Sequence, residues 1–136
     1  MEFDGLMPFV SGYPTTTVGI ASDEFDLHND GEFRELNIDL PHKSVRLVWR
    51  MKQAAWQTPG LNETWERRTV AGLSLIFTEV SLVSVAGIIP GSLGADDLDF
   101  LEYSAFAGQL GETRIVFGNT SEARIVAGKF RLQLME

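Results

Sequence analysis

Residues 33–52 read FRELNIDLPHKSVRLVWRMK, and their reading decides the fold. Leu36, Ile38 and Leu40 fall on every second position, with Glu35, Asn37 and Asp39 between them. That is the period of a half-buried strand. Pro41, His42, Lys43 and Ser44 interrupt the pattern with turn-forming residues, and Val45, Leu47, Trp49 and Met51 then resume it against Arg46, Val48, Arg50 and Lys52. Two alternating runs joined by a short turn predict a β-hairpin. Its outward face would be acidic on one strand and basic on the other, and opposed charges across a hairpin favour pairing by about 0.2–1 kcal/mol each.

Upstream, residues 23–32 (DEFDLHNDGE) read as an acidic loop leading into that first strand, with a tight turn at Asp30 and Gly31. Residues 1–22 have no helical period, and Pro8 and Pro14 break any ladder. Phe3, Met7, Phe9, Val10 and Tyr13 are too apolar for a detached tail. The expectation is an irregular arm lying on the sheet, or one short strand.

Downstream, residues 53–65 form a loop with a turn at Pro59 and Gly60, bracketed by Trp56 and Trp65. In residues 66–77 Leu73, Leu75 and Phe77 alternate, although Leu73, Ile76, Phe77 and Val80 also fit a helix; β-branched content and Gly72 favour a strand. The apolar positions then switch from even (Val80, Leu82) to odd (Val83, Val85), as a bulge or bend produces. Residues 98–106 admit a capped short helix or a strand, and their aromatics favour the strand. Residues 114–117 and 124–134 read as strands joined by a turn, a second hairpin. The chain thus predicts one mainly β domain over residues 1–136, an antiparallel sandwich or open barrel of about seven or eight strands with at most one short helix.

The chain has 136 residues and no cysteine, which excludes disulfide staples, thiolate metal sites and a cysteine nucleophile. Apolar residues make up 44 % and charged residues 22 %, an ordinary globular balance that excludes global disorder. The net charge is −8, and it is unevenly placed. Residues 1–40 hold nine acids and one base, whereas residues 41–136 hold ten of each. A chain without a basic footprint is not expected to bind nucleic acid, and anionic membranes would repel it. An acidic segment would instead speed encounter with a basic protein, though net negative charge also serves solubility alone.

The longest apolar stretch, residues 70–90, raises the question of a membrane span. Glu79 near its centre and its Ser, Thr and β-branched content point to buried strands instead. Residues 1–4 (MEFD) lack a basic, apolar leader, so the cytoplasm is the expected compartment. The triplets at Asn62 and Asn119 then read as turn sequences rather than glycosylation sites.

Candidate sites are sparse. Asp26, His28, Asp30 and Gly31 match part of a calcium-loop spacing, but Asn37 occupies the position that needs a bidentate Glu. No metal site or cofactor is expected. Asp96, Asp97, Asp99 and Glu102 supply paired carboxylates, and His28 or His42 offers a base, without a nucleophile elbow or phosphate-cradling loop to complete a catalytic set. Trp49 reads as core, while Trp56 and Trp65 read as loop packing or an interface anchor.

The stretch FDLHNDGEFRELNIDLPHKSVRLVWRMK, with LSLIFTEVSLVSV, LDFLEYSAF and ARIVAGKFRLQL, resembles a diffuse group of small, uncharacterised bacterial β-rich proteins across residues 25–134. In that group a His-Asp-like turn precedes an alternating strand and hairpin; here Asn29 stands where that turn often carries Asp. Some members look like immunity partners of secreted toxins, which implies a stoichiometric protein-binding role and transfers no catalytic residue. The leading expectation is therefore a non-catalytic binding module for a basic protein, possessing a partner face that includes Asp23, Glu24, Asp26, Asp30, Trp56 and Trp65. Two alternatives stand beside it. One is a small-molecule-binding or hydrolytic β-barrel using the Trp residues and the carboxylates at 96–102. The other is a homo-oligomer assembled through an edge strand at 124–134.

Overall fold

A computed structural model describes residues 1–4, 8–9, 11–20, 23–56, 69–87, 98–105, 108–118 and 121–135, with backbone alone at 20, 23, 52–56 and 69. Among the described residues there are nine strands and no helix: β1 (Glu2–Phe3), β2 (Thr17–Ile20), β3 (Asp23–Asp26), β4 (Gly31–Asp39), β5 (Ser44–Trp56), β6 (Thr69–Ala86), β7 (Leu98–Ala105), β8 (Gly111–Phe117) and β9 (Ser121–Met135). Seven form one sheet in the order β4-β5-β6-β9-β8-β7, with β1 added in parallel to β9; β2 and β3 form a separate antiparallel pair.

The hairpin of residues 33–52 is present as β4 and β5, with Asp39 opposite Ser44. Val45, Leu47, Trp49 and Met51 are all buried, as their period required. The first strand departs from expectation. It begins at Gly31, and a bulge at Arg34 resets its alternation, so that Phe33 lies opposite Trp49 while Leu36 and Ile38 lie opposite Leu47 and Val45. Phe33 is therefore a core residue, whereas Ile38 and Leu40 are exposed. The same bulge undoes most of the expected charge pairing. Glu32 faces Arg50, but Glu35 faces Val48 and Asp39 faces Ser44.

Residues 69–86 are one strand, not a helix, and the switch from even to odd positions is a bulge between Val80 and Leu82 against β9. Beside it Glu79 takes a left-handed conformation, φ 53°. This bend makes the fold a sandwich. In a flat sheet Trp49 on β5 and Phe117 on β8 would be three strand spacings apart, about 14 Å. Their rings stack 6.1 Å apart, with Phe33 4.6 Å from Phe117. The sheet therefore folds over itself: β4, β5 and the first half of β6 form one layer, and β7, β8 and the first half of β9 form the other. Long strands that change layer at a bulge are the corner device of orthogonally packed sheets. The sheet does not close into a barrel.

The arm at 1–22 does lie on the sheet, but it is more regular than expected, holding β1 and β2. Phe3 and Phe9 pack edge-on against Phe130, with Tyr103 5.4 Å from Phe3 and Phe77 5.0 Å from Phe130. The predicted acidic loop at 23–32 is half strand, because Asp23–Asp26 pairs with β2 before the turn at 27–30. Residues 98–105 are a strand with Leu101 and Tyr103 buried, and β8 starts at Gly111 rather than at Arg114.

Candidate protein interface

A β-sandwich exposes strand edges, and proteins shield them with bulges, charges or covering segments. The outer edge of β7 is covered by the arm: Thr15 and Leu101 exchange N–H···O bonds of 2.9 and 2.8 Å, and the Gly12 N–H donates to the Tyr103 carbonyl at 2.7 Å. Where β9 runs past β8, β1 takes over, and the Asp4 N–H donates to the Phe130 carbonyl at 2.9 Å. The outer edge of β4 carries the Arg34 bulge and a run of charges, including an Arg34–Glu32 ion pair at 2.8 Å.

The exception is β6. Its pairing with β5 stops at Phe77 opposite Val45, and past that point the Val80 N–H donates to the Lys43 carbonyl at 2.9 Å. Residues 81–86 (SLVSVA) pair with β9 on one side and, among the described residues, with no strand on the other. They include no charge and no proline, and no described residue hydrogen-bonds to their open edge. Leu82 is 52 % exposed and Val85 38 %; across from them the end of β4 leaves Ile38 41 % and Leu40 73 % exposed. These four are most of the large apolar side chains that the described residues leave in solvent, the others being Tyr13 and Leu110. Ile38, Leu40, Val45, Val80, Leu82 and Val83 line a groove of about 300 Å³ with Asp39 and Lys43 at its rim.

Of the residues named from sequence, Glu24, Asp26 and Asp30 lie elsewhere. Glu24 is exposed on β3 opposite Gly19, and Asp30 is exposed at the end of the following turn. Asp26 is occupied locally: its carboxylate accepts from the His28 and Asn29 N–H groups, each at 3.0 Å, and from the Asn29 side-chain amide at 2.7 Å. Burial pushes its pKa up, but these bonds outweigh burial and hold it below the usual carboxylate value. The partial calcium spacing is thus a capped turn, and no group of three or more metal-ligating side chains occurs among the described residues. Asp23 starts β3 and Trp56 ends β5, both described by backbone alone; Trp65, Asp96 and Asp97 lie outside the described residues. The expected face at Asp23, Glu24, Asp26 and Asp30 is therefore the β3–β4 end of the molecule, away from the groove at the β4–β5 turn.

His28 donates its Nδ1–H to the Leu98 carbonyl at 2.6 Å, tying the start of β4 to the start of β7. His42 bonds Asp39 at 2.9 Å. Asp99 is exposed, and Glu102 lies opposite Arg114 on the outer face of the second layer. There Glu122 accepts from Arg114 Nε at 2.8 Å and Arg124 Nε at 2.7 Å. The Arg114 bond chiefly lowers the Glu122 pKa and raises that of Arg114. The strand 124–134, expected as a sheet edge, is interior: β9 lies between β6 and β8. An edge-to-edge assembly would have to use another strand.

Sequence reading missed Leu82 and Val85 as surface residues because alternation places them as if in core. A usable signal was present, since residues 80–95 contain no charge. Neither a family model, nor a curated protein, nor a solved structure matches the chain.

Proposed function

We propose that this protein is a non-catalytic binding module that takes a segment of another polypeptide as an added strand along residues 81–86 of β6. The unshielded edge carries this reading: its backbone groups pair with no described strand, and they lie beside the exposed Leu82 and Val85 with no charged residue among them. Strand addition draws affinity from main-chain hydrogen bonds and specificity from alternate side chains entering a groove. Here the groove of Ile38, Leu40 and Leu82 would receive them. The acidic N-terminal third, at the far end of β4, would hasten encounter with a basic protein and contributes nothing to this edge. An inhibitor of the immunity type is the narrower form of the same role, and a stoichiometric complex would be its mark.

Selection of short random peptides displayed on phage tests the docking edge. Enriched peptides should alternate apolar residues, and the double variant Leu82→Lys, Val85→Lys should bind them at least about tenfold more weakly, as added edge charges deter strand pairing. Equal binding by the double variant would remove the edge from consideration.

A further inference from the structure

The pattern along the open edge is complementary to itself. We infer that the strand added to β6 is β6 of a second copy, antiparallel about a two-fold axis at Ser84. This rests on the docking edge proposed above and names its occupant. Register against β9 assigns the faces: Val83 and Val85 lie opposite Ile125 and Ala123, both fully buried, so they point to the inner side of the layer, whereas Leu82, Ser84 and Ala86 lie opposite Val126, Arg124 and Glu122 on the outer side. Residues opposed in an antiparallel pair share a face. With the axis at Ser84, Val83 of one copy meets Val85 of the other on the inner side, Leu82 meets Ala86 on the outer side, and the two Ser84 side chains meet each other. From Leu82 to Ala86 each opposed pair is apolar–apolar or hydroxyl–hydroxyl, the kinds of pair that stabilise sheets.

Charge favours the same occupant. The chain carries −8 overall, so two copies repel in most orientations. Residues 80–95 carry no charge, and the acids Glu24, Asp26 and Asp30 sit at the opposite end of β4 from the groove. Pairing through β6 therefore brings together the least charged part of each copy. Among the described residues that line the groove, Asp39 is the one carboxylate that a basic segment from a different protein would meet. The two-fold arrangement is isologous and closed, so it ends at a dimer rather than a fibre.

The chain has no cysteine, which makes the register directly testable. Ser84→Cys should oxidise to a covalent dimer about tenfold more completely than Asn37→Cys on the outer edge strand β4, because only the first places two thiols within disulfide reach. Light scattering on the unmodified chain should give twice the 15.1 kDa chain mass, and Val85→Lys should return it to one chain mass with an unchanged far-ultraviolet spectrum. A monomeric chain whose Ser84→Cys variant cross-links no better than Asn37→Cys overturns the inference. If Val85→Lys still abolishes capture of the displayed peptides in that case, the docking edge survives with a foreign occupant; if capture is unaffected, both fall.

Discussion

Gly111 shows how tightly single positions are set. It opens β8 opposite Ala105, and a Cβ there would overlap the ring of Tyr103. Phe3 and Phe9 pack on the far side of Tyr103, with ring centroids 5.4 and 5.8 Å from its own. Gly111→Ala must therefore push the ring into the arm, and overpacking of this kind costs about 1–3 kcal/mol. Urea unfolding should register that loss. A variant as stable as the parent would mean that the aromatic cluster is loose and the arm only lightly seated.

At the scale of the element, β4 is held between two aspartate-capped turns. Asp26 caps the entry, and at the exit Asp39 accepts from the His42 N–H at 3.2 Å and from the His42 ring at 2.9 Å. The ring bond, followed by the backbone bond, keeps the Asp39 pKa below its ordinary value, and Asp26 is likewise depressed. Both carboxyls hold protons less readily when folded than when unfolded. Their contribution is thus complete above the unfolded pKa, about 4, and fades as pH drops through the lower folded values. The urea midpoint should fall on acidification below about pH 4, and Asp26→Ala should flatten that fall. An unchanged slope in the variant would show that the turn at 27–30 does not depend on its cap. Much of this element was legible: the hairpin, its turn and the inward set on β5 follow from period two. The bulge at Arg34 was not, since nothing in FRELN distinguishes a continuous strand from one with an extra residue. That extra residue brings Phe33 into the core, and pairing with β5 alone decides it. The exposure of Ile38 and Leu40 was equally hidden, because it depends on where the second layer ends, a property of strands distant in sequence. The bulge in β6 was legible as a change of parity, but its place was not: it falls before Leu82 rather than after it, and so sends Leu82 outward.

At the scale of the molecule, charge and docking surface are separated. The acids at 23–30 lie at one end of β4 and the apolar groove at the other. Steering and holding would then be distinct operations. Charge reversal at Asp23 and Glu24, which leaves the Asp26 cap in place, should slow association with a basic partner several-fold at low salt while leaving dissociation nearly unchanged, and the difference should vanish at high salt. A rate indifferent to both the substitutions and the salt would remove the acidic third from recognition. One further property follows from the burial of Trp49. Its indole lies between the two layers, stacked on Phe117, and its Nε1–H finds no hydrogen-bond partner among the described residues. An indole so placed emits at short wavelength and is out of reach of aqueous quenchers. With Trp56 and Trp65 replaced by Phe, the remaining emission becomes an optical gauge of whether the sandwich is shut, readable in real time without any added label.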